Sequence, residues 1–272
     1  MAKALRLKSE RVGKPEIAKV SPIAKVLVRT GVFHLDQPFD YQVPEHLSSE
    51  VDVGSRVAVT FRSRKTEGFV VARGESAEPG VKLSAIERVI AKQFDSNFLP
   101  LLSAWAKRWA ASEMDILRFS AFDPVGRAKA AQTDYKIYKH NLPAALATKH
   151  ARIFWQLPPL IDEVDCAIEL IMARLQHGRV LAVFPEERLV VEILKKLNEM
   201  GLDPAVLRSS DTKSVRYSNF LADQSGAQLV IGTRIAALSP TNFVSTIVWR
   251  EDSEHHFELH TPGWNSRDAS LI

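Results

Sequence analysis

The sequence predicts a multi-domain protein of mixed class, an α+β part followed by an α/β part. Three observations predict it. Residues 21–93 hold short β-type runs parted by turn signals, residues 94–150 open on a helical apolar face, and residues 151–272 alternate strands with amphipathic helices. The first pattern belongs to a small β-rich barrel or sandwich, the last to a doubly wound parallel sheet. The chain has 272 residues, 46% hydrophobic and 25% charged, as folded domains do. That length suits one to two domains.

The elements follow in order. Residues 1–20 are polar and basic, without period, and read as a flexible arm. Strands are expected at 23–28, 39–43, 56–61, 68–72 and 85–90. Gly31, Asp36-Gln37-Pro38, Asp52-Val53-Gly54 and the stretch 74–80 supply the turns between them. Phe98, Leu101, Leu102, Trp105 and Trp109 then share one helical face. Two uses are open to the tryptophans, stacking on bases or filling a core. Residues 123–150 are weakly patterned and read as a linker with proline breakers. Beyond 151, helices are expected around Val164–Leu175, Val190–Met200 and Tyr217–Leu221, and strands at 180–184, 204–207, 228–232 and 246–249. No internal repeat is present.

Composition excludes several classes. The single cysteine, Cys166, rules out an intrachain disulfide and a multi-cysteine zinc site. With no apolar run near the roughly 18 residues of a membrane span and no leader-type apolar stretch after the basic start, a soluble, cytoplasmic protein with no membrane partner is expected. The net charge of +4 is unevenly spread: residues 1–151 carry 24 basic and 16 acidic side chains, residues 152–272 carry 12 and 16. A basic half of +8 fits nucleic-acid binding driven by counterion release. A solvated tail without a partner is the other reading.

The α/β half lacks the usual catalytic motifs. A triphosphate site needs a glycine-rich loop whose N–H groups and lysine cradle the phosphates. Before the helix near Asp162 stands Phe154-Trp155-Gln156-Leu157-Pro158-Pro159-Leu160-Ile161, without glycine, lysine or hydroxyl, and with two prolines that cannot donate. The strand ending at Trp249 is followed by Arg250 where a magnesium-holding Asp would stand. After it come Glu251-Asp252-Ser253-Glu254-His255-His256, an exposed acidic loop or two histidines of a metal site with no third ligand indicated. Cys166 lies in a helix pattern and reads as a packing residue. No catalytic residue, metal ligand or cofactor is therefore nominated.

Several motifs together resemble one family. Pro38-Phe39-Asp40-Tyr41-Gln42-Val43-Pro44 is similar to an F-D-Y-x-x-P element. Gly54-Ser55-Arg56-Val57-Ala58-Val59-Thr60-Phe61 resembles G-x-R-V-x-V-x-F, and Gly68-Phe69-Val70-Val71 the G-x-V-x strand after it. In the second half, Leu181-Ala182-Val183-Phe184-Pro185-Glu186 resembles L-V-L-V-P-E. Leu229-Val230-Ile231-Gly232-Thr233-Arg234 with Ala236 and Pro240 resembles I-V-I-G-T-R-S-A-x-x-x-P, and Arg267-Asp268 a closing R-D. These are motifs of the PriA (primosomal protein N′) replication restart family. The resemblance runs over essentially the whole chain and is greatest to its degenerate actinobacterial form.

The resemblance implies a flexible arm (1–20), a β-rich 3′-DNA-binding domain (21–93), a winged-helix-like segment and linker (94–150), and a partial, degenerate RecA-like first helicase lobe (151–272). It implies a protein that binds stalled or abandoned forks without sequence specificity and recognises the 3′ end of the nascent strand. Phe39, Asp40, Tyr41 and Gly54 are nominated for that end. A carboxylate can accept a hydrogen bond from a 3′-hydroxyl, and an aromatic ring can stack the end base. Asp40 as a turn cap and Tyr41 packed inward are the alternative. Arg56, Arg62, Arg64 and Lys65 are nominated for backbone phosphates, or else form a solvated loop. Gly232, Thr233 and Arg234 stand as helicase-motif remnants that keep a sheet-edge loop in shape. The family's ATP and zinc sites are not found, so no cofactor and no helicase activity are expected. A 3′-5′ helicase with an unconventional nucleotide site and an inactive docking platform are the alternatives. Forked or single-stranded DNA is the expected partner, with other primosome and single-strand-binding proteins after it.

Overall fold

The computed structural model describes residues 15–31, 35–77, 79–80, 83–126, 128–134 and 152–272. The chain divides into two compact units, Met1–Leu99 and Pro100–Ile272.

The first unit is built on five antiparallel strands, β1 (Ile23–Val28), β2 (Pro38–Gln42), β3 (Ser55–Phe61), β4 (Arg64–Gly74) and β5 (Arg88–Lys92), in the order β2-β1-β4-β3-β5. The segment leading into β5 closes the sheet. Gln42 of β2 donates to Ser84 O and accepts from Ile86 N, each at 2.9 Å, and Glu87 N donates to Ala58 O of β3. The two edges are thereby joined into a small barrel, which leaves few unpaired strand groups. Its period-two pattern sends Ala24, Val26, Val28, Val57 and Val59 inward, where they pack with Tyr41, Val43, Leu47, Val51, Val70 and Ile86. β-branched residues suit such a surface. Register shifts at Lys25/Val26 and Arg56/Val57 bend the strands around the core.

Two segments differ from the sequence reading. The expected strand 85–90 is split between closing the barrel and pairing with β3. Residues 16–19, read as the end of an arm, are held: Ala18 N donates to Val43 O at 2.9 Å, Glu45 N to Glu16 O at 2.7 Å, and Ala18 is buried. Met1–Lys14 lie outside the described residues. Arg73 fastens the same region by donating to the carbonyls of Ser21 (2.9 Å), Ser48 (3.2 Å) and Val20 (3.2 Å), and to that of Val51. Burial pushes its pKa below the usual arginine value, opposed by Asp52 and Glu75.

The second unit begins in α1 (Leu99–Arg108), followed by α2 (Glu113–Ser120). Then come α3 (Glu163–Leu175), β6 (Val180–Val183), α4 (Glu187–Glu199), β7 (Ala205–Leu207), α5 (Lys213–Gln224), β8 (Leu229–Gly232), β9 (Ser245–Val248) and α6 (Ser266–Leu271). Strands β7-β8-β6-β9 form a parallel sheet. β6 and β8 are buried throughout, as central strands of a covered parallel sheet are. Helices α3 and α4 lay Ile168, Ile171, Met172, Val190, Ile193 and Leu197 against it. Trp105 of α1 and Trp109 just past it serve a core: Trp105 is buried, donates to Ala269 O at 3.0 Å, and its ring neighbours Trp109, which in turn meets Trp264. Of residues 123–150, read as a linker, the described part is held in place: Ala131 N donates to Ser218 O at 2.8 Å and Asp134 N to Asp203 O at 3.0 Å. Residues 127 and 135–150, with the later part of the winged-helix reading, lie outside the described residues. Among those described, no helix is long and apolar enough to cross a membrane, and no group of His, Cys, Asp and Glu could hold a metal ion.

Candidate nucleic-acid interface

One end of the barrel gathers cations. β3 and β4 meet in a two-residue turn, Phe61 facing Arg64. Its central residues, Arg62 and Ser63, have φ of +46° and +65°. Two-residue hairpin turns demand this left-handed backbone, which Asn and Gly adopt most readily. Arg62 lays its guanidinium 5.6 Å from the centre of the Phe61 ring. Phe61 in turn lies 4.8 Å from Phe39, tilted by 55°. Phe39, Phe61 and Arg62 thus form one half-exposed cluster at the barrel mouth.

Asp40 belongs to a different face. Adjacent strand residues point to opposite sides, so Phe39 and Tyr41 turn inward and Asp40 outward, opposite Lys25. Its carboxylate is 3.0 Å from Lys25 Nζ, with the Asp40 side chain only 8% exposed. Tyr41 is buried and its hydroxyl donates to Thr60 O at 3.3 Å. Desolvation pushes its pKa up to about 12. Gly54 lies at the other end of β3 from Arg62, with φ +86° and its N–H on Val70 O at 2.7 Å. Phe39 and Arg62 are therefore brought together through Phe61. Tyr41 packs beneath them in the barrel core, and Asp40 and Gly54 lie apart.

The cations divide into paired and unpaired. Arg56 is tied to Glu67 by two contacts, 2.8 Å from Nε and 2.6 Å from Nη2. Lys65 lies 3.3 Å from Glu87, whose other oxygen accepts from Thr60 Oγ1 at 2.6 Å. The Thr60 bond, then Lys65, hold the Glu87 pKa below the usual glutamate value despite some burial. Arg62 and Arg64 are exposed and make no ion pair among the described residues.

In the second unit, ligands of parallel sheets bind beyond the carboxyl ends of the strands. Here that crest is occupied by the chain itself. The Asp162 carboxylate caps α3, accepting from Val164 N (2.9 Å) and Asp165 N (3.1 Å). These bonds, foremost that from Asp165, lower its pKa. Arg250, just past β9, reaches Glu163 at 2.6 Å and Glu186 at 3.7 Å, and Trp249 Nε1 adds a bond to Glu163 at 3.3 Å. Gly232 ends β8 where a Cβ would lie 2.2 Å from Leu207 O. Thr233 N donates to that same oxygen at 3.1 Å. Arg234 binds Glu258 (3.0 Å) and Phe257 O (3.1 Å), stapling the segment after β9. His260 Nδ1 meets the other Glu258 oxygen at 2.7 Å. Burial would raise the Glu258 pKa, but the His260 bonds and Arg234 win and lower it. Of the two histidines in the acidic stretch, His255 is exposed and His256 fully buried, its Nε2 at 2.8 Å from Trp249 O. Burial pushes the His256 pKa down, against that bond.

A closed antiparallel barrel with exposed arginines at one turn is followed in the chain by an α/β unit. Residues 25–121 match the family model of the PriA 3′ DNA-binding domain (3′BD). The probable replication restart protein PriA of Mycobacterium tuberculosis (strain ATCC 25618 / H37Rv) is 28% identical over 263 residues, 88% of this chain and 40% of that protein. Its counterpart in Mycobacterium leprae (strain TN) is 28% identical over 270 residues, 88% of this chain and 41% of that one. Replication restart protein PriA of Bacillus subtilis (strain 168) is 34% identical over 84 residues, 30% of this chain and 10% of its own length. The chain spans about 40% of the length of the mycobacterial relatives it matches.

Proposed function

We propose that this chain acts in replication restart by binding the 3′ end of a nascent strand at a stalled or abandoned fork, without sequence specificity. The match of residues 25–121 to the 3′ DNA-binding domain model carries the reading. The barrel end supports it. Phe39 and Phe61 offer rings to a terminal base. Asp40, on the outer face of β2 and apart from them, would have to exchange its contact with Lys25 to accept from a 3′-hydroxyl. Arg62, Arg64 and Lys65 offer cations to the phosphates. A non-glycine residue in left-handed backbone costs about 1–2 kcal/mol, so the turn retains Arg62 at a cost that a neutral Asn-Gly pair would avoid. Such outliers collect at functional sites.

Fluorescence anisotropy with forked DNA tests the reading. The wild-type chain is expected to prefer a 3′-hydroxyl end over a 3′-phosphate. Asp40→Ala should erode that preference more than Arg62→Ala does, while Arg62→Ala should lower the salt slope by about 0.7, one phosphate's share for single strands. Equal wild-type affinity for the two ends would sink the end-recognition reading.

Residues 151–272 of the second unit are, on this proposal, a degenerate first helicase lobe that does not hydrolyse ATP, preceded by a winged-helix-like segment that includes α1 and α2. Asp162 already occupies N–H donors that a phosphate would need at the start of α3. Arg250, held by Glu163 and Glu186, stands where a magnesium ion would require acidic ligands. Phosphate release with forked DNA and ATP is expected at background. Turnover above background that disappears in Arg234→Ala would overturn this part. Other primosome and single-strand-binding proteins are proposed partners, the acidic stretch 152–272, with 12 basic and 16 acidic side chains, offering charge complementarity to basic ones.

A further inference from the structure

We infer that Arg29 and Arg88 carry the phosphodiester backbone of the bound strand across the outer face of the barrel. The inference rests on the DNA-binding reading above and adds residues to it that no motif marks.

Strand register places the two arginines in one row. Arg29, one residue past β1, donates from its backbone N–H to Glu67 O at 2.9 Å. Glu67 on β4 faces Ala58 on β3, and Ala58 faces Arg88 on β5. The row therefore reads Arg29, Glu67, Ala58, Arg88 over four neighbouring strands, with an arginine at each end. Three strand spacings of about 4.8 Å set the ends on the order of 14 Å apart along the sheet. Between them lies a small methyl side chain and a carboxylate already held by Arg56. The next row toward the turn is Thr60 and Lys65, its carboxylate, Glu87, likewise held. The turn itself adds Arg62 and Arg64.

Charge accounting makes this face a track. The two glutamates that could repel a phosphate are each bound to a cation. Arg29, Arg62, Arg64 and Arg88 are exposed and make no ion pair among the described residues. Unpaired guanidinium groups on a rigid sheet suit phosphate binding, since their fork of donors matches phosphate oxygens and their charge does not titrate. Such contacts position a strand without reading its sequence.

The experiment measures anisotropy of a labelled single strand with a 3′-hydroxyl end, and of the same strand with a 3′-phosphate, between 50 and 200 mM salt. The double variant Arg29→Gln, Arg88→Gln is expected to lower the salt slope by about 1.4, so that affinity falls about sevenfold less across that range than for the wild type. Its ratio of affinities for the two ends should stay as in the wild type. Arg29→Lys, Arg88→Lys keeps the charges and should restore most of the slope. Lys195→Gln, Lys213→Gln in the second unit should leave the slope unchanged. A double glutamine variant that binds DNA with the wild-type slope overturns the inference, as does an equal loss in the Lys195, Lys213 control. Failure of the wild-type chain to bind DNA sinks the parent reading instead. Circular dichroism confirms that each variant is folded, as expected for exposed side chains.

Discussion

Asp223→Ala is expected to cost the second unit about 3–5 kcal/mol, the usual consequence of removing one partner from a buried ion pair. The Asp223 side chain is fully buried, 0% exposed, and meets Arg179 Nη2 at 2.8 Å. Its oxygens also accept from Thr241 Oγ1 at 2.7 Å and from Ser239 Oγ. Arg179 is committed as well, to Ala227 O at 2.9 Å and Asn242 O at 3.0 Å, and stacks over Phe243 at 4.8 Å. The network ties the end of α5, the start of β6 and the connection from β8 to β9. It sits at the amino ends of the parallel strands, away from the crest where ligands of such sheets bind. The effect should therefore appear in stability. Deletion leaves a guanidinium only 20% exposed and two hydroxyls without their carboxylate, the costly case among hydrogen-bond losses. Arg188→Ala is the control. The Arg188–Glu192 pair is 87% and 47% exposed, and such surface pairs contribute about 0–1 kcal/mol. All five tryptophans lie in this unit, so urea titration followed by tryptophan fluorescence reads the difference. A loss below about 1 kcal/mol for Asp223→Ala would mean that the network is not a keystone of the unit.

What the sequence disclosed depended on the range of the interaction involved. β1 is legible to the residue, Ile23–Val28, because a half-buried strand writes its period of two into neighbouring residues. The amphipathic helices α3 and α4 are legible for the same local reason. α2 and α6 are too short to establish a period. Their signals are caps: Ser112 accepts from Asp115 N, and Asn265 from Arg267 N and Asp268 N. The candidate site is legible by residue type and only partly by arrangement. Phe39, Asp40 and Tyr41 adjoin in sequence and suggest one pocket, yet the pleat alternates their faces. Arg29 and Arg88 carry no local mark at all. Only the pairing of β1, β4, β3 and β5 puts positions 29, 67, 58 and 88 in one row. His256 is similar: an acidic, histidine-rich stretch reads as solvated, and only tertiary packing buries one ring on Trp249 O.

Gly54→Ala is expected to destabilise the first unit by about 3 kcal/mol or more, through a clash and a conformational penalty acting together. At φ +86° a Cβ at this position would lie 1.8 Å from Phe94 O and 2.7 Å from its carbonyl carbon. Both are backbone atoms that no side-chain rotation can move. The left-handed conformation adds about 1–2 kcal/mol for any residue with a Cβ. Relief would require parting two strand ends, because Gly54 N donates to Val70 O at 2.7 Å and Gly54 O accepts from Gln93 N at 2.9 Å. Either shift exposes the barrel core beside Val57 and Val70, so the loss reaches the upper range of single substitutions. Gly31→Ala is the comparison: its φ is +70° but no atom lies within 4 Å of its Cβ position, so only the conformational penalty applies and a loss of about 1 kcal/mol is expected. Amide hydrogen exchange of β3 and β4 measures both. Equal protection in the two variants would show that the contact with Phe94 yields freely, and that Gly54 is kept for its backbone angle alone.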